Sequence, residues 1–213
     1  MENIIKTLLI IFDKSGSMGL LINECMQSLN NLYKEQKESG EFNSTLIFFS
    51  DKIEYAHKNL KGSDIPEIKD IVTNGMTGLL DAIGEGINSQ LEIEPKNVIC
   101  VILTDGLENC SKEYSSKNIK ELTQKMEEEN GWKFIYLGAN QNSFDVASDL
   151  GINTSCDYEF TPRGCTDILQ SLSHQISTCI SGKTDIKDID IDIQTVKVEH
   201  KVEHDELPLS MNY

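Results

Sequence analysis

The stretch "NVICVILTD", residues 97–105, is apolar at almost every position. A strand with one wet face alternates apolar and polar residues. A strand without that alternation has to be covered on both faces. Coverage on both faces means helices above and below a sheet, so this segment predicts the central strand of an α/β fold. "IIKTLLIIF" (residues 4–12) reads as another buried strand, and "STLIFFS" (44–50) as a third. "KIEYAHKN" (52–59) alternates and follows a tight turn at Ser50-Asp51, which makes it an antiparallel edge strand. "WKFIYLG" (132–138) and a brief segment near 158–160 complete the expected strands.

Helical spacing fills the intervals. Leu21, Ile22, Cys25, Met26, Leu29, Leu32 and Tyr33 recur at helical period within residues 19–37. Further helices are expected at 78–91, weakened by Gly84 and Gly86, and at 115–130, 143–150 and 168–180. Strands alternating with helices imply a mainly parallel central sheet with one antiparallel edge strand and helices on both faces. In such sheets ligands bind at the carboxyl ends of the strands.

The 213 residues fit one domain of ordinary size with an added segment. The composition changes after Ser181-Gly182, so the expected division is a domain at 1–182 and an acidic C-terminal tail or added edge strand at 183–213. That last stretch has a crude Asp-Ile alternation and a tandem "KVEH". The formal net charge of −16 argues against nucleic-acid binding through a basic face. It suits a divalent cation or a basic partner, and it also serves solubility. No apolar run is long enough for a secretion signal or a membrane span, which points to a cytoplasmic protein with no membrane partner. The six cysteines form no C-x-x-C pair and no tight zinc spacing, so a reduced compartment is the simplest reading.

The polar loop "FDKSGSM", residues 12–18, stands out against this background. Asp13, Ser15 and Ser17 are spaced by two between a strand and a helix. Oxygen-only donors suit a hard cation: Mg²⁺, Mn²⁺ or Ca²⁺. Three such residues cannot close a six-coordinate shell. Thr77 in "GMTGLLDAI" and Asp105 in "LTDGLEN" offer another hydroxyl and another carboxylate. A polar turn with a serine helix cap is the bland alternative for the first loop alone. Glu108 and Asn109 read as solvated loop residues, Asp81 as a helix-start acid, Asp51 as a turn residue and Trp132 as core packing. His200 and His204, four apart, are a weak metal pair.

The ordered set "DKSGSM", "GMTGLLDAI" and "LTDGLEN" resembles the von Willebrand factor A (vWA) domain and its metal-ion-dependent adhesion site. The resemblance spans about residues 3–180. "GWKFIYLGANQNSFDVASDLGI" further resembles small stand-alone A-domain proteins of phages and large DNA viruses. The likeness implies a Rossmann-like sheet with Mg²⁺ at its top. Ser15, Ser17 and Thr77 would bind the metal through hydroxyls, and Asp13 and Asp105 directly or through water. It also implies an open position on the metal that takes a Glu or Asp from a partner protein. The expected function is therefore a non-catalytic, metal-dependent protein-binding module, monomeric on its own. One alternative is a Mg²⁺-dependent phosphatase of the haloacid dehalogenase type, which needs D-x-D-x-T; here Ser15 occupies the second acidic position. The other is a metal-stapled structural protein that acts through its tail.

Overall fold

The computed structural model describes residues 6–95 and 97–191. Six strands form one sheet: β1 (Lys6–Asp13), β2 (Phe42–Phe49), β3 (Ile53–Lys61), β4 (Val98–Thr104), β5 (Lys133–Ala139) and β6 (Thr154–Tyr158). Their order is β3-β2-β1-β4-β5-β6. β3 pairs antiparallel with β2, and all other pairings are parallel. The helices are α1 (Ile22–Ser39), α2 (Leu79–Leu91), α3 (Ser116–Asn130), α4 (Ser143–Asp149) and α5 (Pro162–Ile180).

Both faces of the central strands are dry, as the continuous apolar runs require. Leu8, Ile10 and Phe12 of β1 pack with α1 and α5. Leu9 and Ile11 of the same strand point the other way and pack with α2, α3 and α4. The side-chain alternation of one strand thus feeds two cores. The expected α/β class, parallel sheet and antiparallel edge strand all stand.

Three boundaries differ from expectation. A 3-10 turn (Gly16–Leu20) precedes α1, which starts at Ile22. β6 lies at 154–158, upstream of the expected strand near 158–160. α5 begins at Pro162 and not at 168. Thr161 caps it by accepting from the Gly164 N–H, and proline is suited to a first helical position whose N–H has no partner.

The chain keeps contributing to the core past Gly182. Ile186, Ile189 and Ile191 are buried in the cluster that holds α1 and α5. The tandem "KVEH", His200, His204 and the tail's expected edge strand lie outside the described residues. The reduced reading of the cysteines is corrected at one pair. Cys25 in α1 and Cys165 in α5 form a disulfide. Local spacing could not reveal it, since 140 positions separate the two and only helix packing brings them together. No described helix is long and apolar enough to cross a membrane.

Candidate metal centre

β1 and β4 are neighbours at the point where the strand order reverses. Chain connections leave that seam in opposite directions, which opens a crevice at the carboxyl ends of the strands. Asp13 closes β1 and Asp105 follows β4, so both carboxylates arrive at this crevice.

Asp13 is fully buried and accepts at both oxygens. Its Oδ1 takes the Ser15 N–H at 2.7 Å, and its Oδ2 takes the Thr104 hydroxyl at 2.6 Å. One acid therefore folds its own loop and fixes that loop to β4. Thr104 in turn accepts from the Gly106 N–H at 3.2 Å, which turns the chain sharply after Asp105.

Ser17 donates to Asp105 Oδ1 at 2.8 Å. A serine has one proton, so at the 3.1 Å contact between Ser15 and Ser17 it is Ser15 that donates. The result is a chain of donation from Ser15 to Ser17 to Asp105. Ser15 and Asp105 are buried, while Ser17 is exposed and marks the open side.

Thr77 reaches the same place from a third loop. A Cβ built on Gly106 would stand 3.3 Å from Thr77 Oγ1 and 4.0 Å from Ser17 Oγ, so both hydroxyls flank the Gly106 backbone. The Thr77 loop is held on two sides. Toward β1, the Asn74 N–H donates to Lys14 O and the Gly16 N–H to Gly75 O. Toward β4, the Thr77 N–H donates to Asn109 Oδ1 and the Asn109 N–H to Thr77 O. Gly75 sits at φ 76°, and a Cβ there would fall 2.1 Å from Asp51 Oδ1. Only glycine fits that turn.

Asn109 is exposed, as its solvated reading expects, although it also pairs with Thr77; the solvated reading of Glu108 is corrected. Glu108 accepts from the Leu80, Cys110 and Ser111 N–H groups and from the Ser111 hydroxyl. Its carboxylate thereby joins the Asp105 loop to the start of α2. Asp81, in the first turn of α2, accepts from the Lys112, Glu113 and Tyr114 N–H groups. No sequence signal separates these acids from ordinary loop acids, because their partners are backbone groups of any residue type. Thr104 carried a signal, its place in the Thr-Asp-Gly turn, but no role was read from it.

Burial sets the electrostatics. Loss of water pushes the Asp13 carboxyl up to about 6, against hydrogen bonds from Thr104 and Ser15 that pull it down. Burial also raises the Asp105 carboxyl. Two buried acids with raised pKa values are a site that a cation would relieve.

The donors fit a hard divalent ion. Asp105 Oδ2 is buried and has no hydrogen-bond partner among the described residues. A buried carboxylate oxygen left bare is costly, and a metal bond removes that cost. The 3.1 Å Ser15–Ser17 separation matches adjacent oxygens on an octahedral Mg²⁺, which stand about 3.0 Å apart for bonds near 2.1 Å. Among the described residues no three His, Cys, Asp or Glu side chains gather to hold a metal, so an ion held here would need the hydroxyls as well.

No protein-family model and no curated protein matches this chain. Solved structures do. The vWF domain of the type V pilus tip protein Mfa5 from Porphyromonas gingivalis matches with TM-score 0.64 at 10% identity, over 83% of this chain and 96% of that one. The SpRpn10 VWA domain matches with TM-score 0.59 at 14% identity, over 79% of this chain and 95% of that one. The fold is that of a vWA domain. The PilB minor pilin from Streptococcus sanguinis carries it too, with TM-score 0.61 at 13% identity over 83% of this chain. This vWA-like chain spans 62% of that pilin, less than two thirds of its length. At these identities the likeness is one of fold.

Proposed function

We propose that this chain is a non-catalytic, divalent-metal-dependent protein-binding module. Ser15, Ser17 and Thr77 would hold Mg²⁺, or Mn²⁺ or Ca²⁺, through their hydroxyls. Asp13 and Asp105 would act directly or through water. When bound, the ion supplies an electrophilic centre able to take an Asp or Glu carboxylate from a partner protein.

The observation that carries this reading is the bare, buried Asp105 Oδ2 at the end of the Ser15–Ser17 donor chain. Asp13 has both oxygens occupied and holds the Ser15 loop against β4. Asp105 keeps one oxygen free for the ion. Ser15 stands where a haloacid-dehalogenase phosphatase needs its second acid, and a hydroxyl does not shuttle protons near neutral pH. The site's chemistry is therefore read as binding.

Calorimetric titration of Mg²⁺, Mn²⁺ and Ca²⁺ tests it, with Asp13→Ala/Asp105→Ala as the control. Binding at about millimolar or tighter, abolished in the double variant, supports the reading. A wild type that binds none of the three ions removes it.

A further inference from the structure

Exposed apolar side chains occur on the segments that carry the site residues and on the neighbouring strand end. Leu20, Val72, Met76, Leu107 and Phe144 are 56–79% exposed. Leu20 ends the 3-10 turn that carries Ser17, Met76 precedes Thr77, and Leu107 follows Gly106. Gly19 packs close to Thr73, so Val72 lies beside the Leu20 turn. Phe144 stands at the start of α4, just past the carboxyl end of β5. Exposed apolar residues grouped around a polar centre mark a surface that another segment covers.

A fitting segment occurs in this chain. Residues 205–209 read Asp-Glu-Leu-Pro-Leu, a pair of acids followed directly by leucines around a proline. Reach is sufficient. Asp185 and Asp188 lie near Cys179 and Lys6, at the start of β1. From there to the site is the length of an eight-residue strand, about 26 Å. The 14 residues from Ile191 to Asp205 span up to about 46 Å when extended. A tether of that kind also gives a high effective concentration. A second copy of a chain carrying −16 is repelled instead.

We infer that residues 205–209 dock on the chain's own site, with an acid at the hydroxyl-and-carboxylate centre and Leu207 and Leu209 against Leu20, Met76 and Leu107. This rests on the metal reading above. It makes the segment a built-in competitor that an outside partner must displace.

The test uses the full chain, with Mg²⁺ as the probe. Calorimetry compares the wild type with Asp205→Asn/Glu206→Gln, with Leu207→Ser/Leu209→Ser and with the control Glu199→Gln/Glu203→Gln. Sedimentation follows each titration. The first two variants are expected to bind Mg²⁺ about tenfold more weakly, the control to match the wild type, and the wild type to remain monomeric. Mg²⁺ binding that needs Asp13 and Asp105 but ignores residues 205–209 overturns this inference and leaves the metal site intact. Mg²⁺-driven self-association abolished by Asp205→Asn/Glu206→Gln shows that a second copy is the occupant, and overturns docking within one chain. Absence of Mg²⁺ binding by the wild type overturns both.

Discussion

Ser17 donates its hydroxyl proton to Asp105 at 2.8 Å, joining two loops that lie 88 positions apart. That bond satisfies one oxygen of a buried carboxylate whose other oxygen is bare. Ser17→Ala leaves the carboxylate with neither side-chain donor nor metal. In chelator, the variant should lose about 1–3 kcal/mol of stability, read as a lower urea midpoint. Excess Mg²⁺ should restore the wild type more than the variant.

Glu108 is predicted to matter for metal affinity from a supporting position. It accepts three backbone N–H groups and a hydroxyl, and so clamps the Asp105 loop to α2. Glu108→Ala strands those donors. A loss of about 2–3 kcal/mol in thermal unfolding is expected, with weaker Mg²⁺ binding by calorimetry. Glu108→Gln keeps the acceptor oxygen and should recover part of both.

Two buried groups pull the acid stability of the metal-free protein in opposite directions. His57, in a buried polar cluster with Tyr33 and Ser44, has its pKa lowered from 6.5 to about 4 by burial. Its contribution is present above pH 6.5 and is lost as pH falls through about 4. Asp13 is raised from 3.8 to about 6, so its contribution is full below 3.8 and is lost as pH rises through about 6. The two oppose each other over the same pH range in the wild type. Asp13→Asn should expose the histidine, giving a protein that weakens on acidification. His57→Gln should give the reverse slope. Urea unfolding across that range, in chelator, checks both.

The disulfide predicts a redox dependence of stability. Cys25–Cys165 closes a long loop between α1 and α5. Reduction, or Cys25→Ser/Cys165→Ser, should lower stability by about 2–5 kcal/mol in thermal melts with and without reductant. A melt indifferent to reductant would show that the link contributes nothing.

Periodicity made the sheet legible. Dry strands carry few polar residues to confuse their reading, which is why 97–105 and 4–12 pointed to β4 and β1. The five candidate residues could be picked out because three short motifs occur in order at expected strand ends, and the structure brings their loops together at one edge of the sheet. The start of α5 was missed because its first turn, around Arg163 and Gly164, has no apolar period and is held by the Thr161 cap and Pro162 instead. Glu108 was misread because its partners are main-chain groups, invisible in side-chain patterns. Cys25 and Cys165 needed the packed helices to be seen as neighbours.

The reversal of strand order at the β1–β4 seam has a consequence for how the molecule can be divided. β3, β2 and β1 on one side all come from residues 6–61, while β4, β5 and β6 on the other all come from residues 98–158. Each half-sheet is an unbroken piece of chain, and the turn after α2 at residues 92–95 lies between them. The first piece carries Asp13, Ser15, Ser17 and Thr77, and the second carries Asp105. A chain cut in that turn therefore gives two fragments, neither of which holds all five candidate residues, so ion binding that needs the whole set would report their reunion.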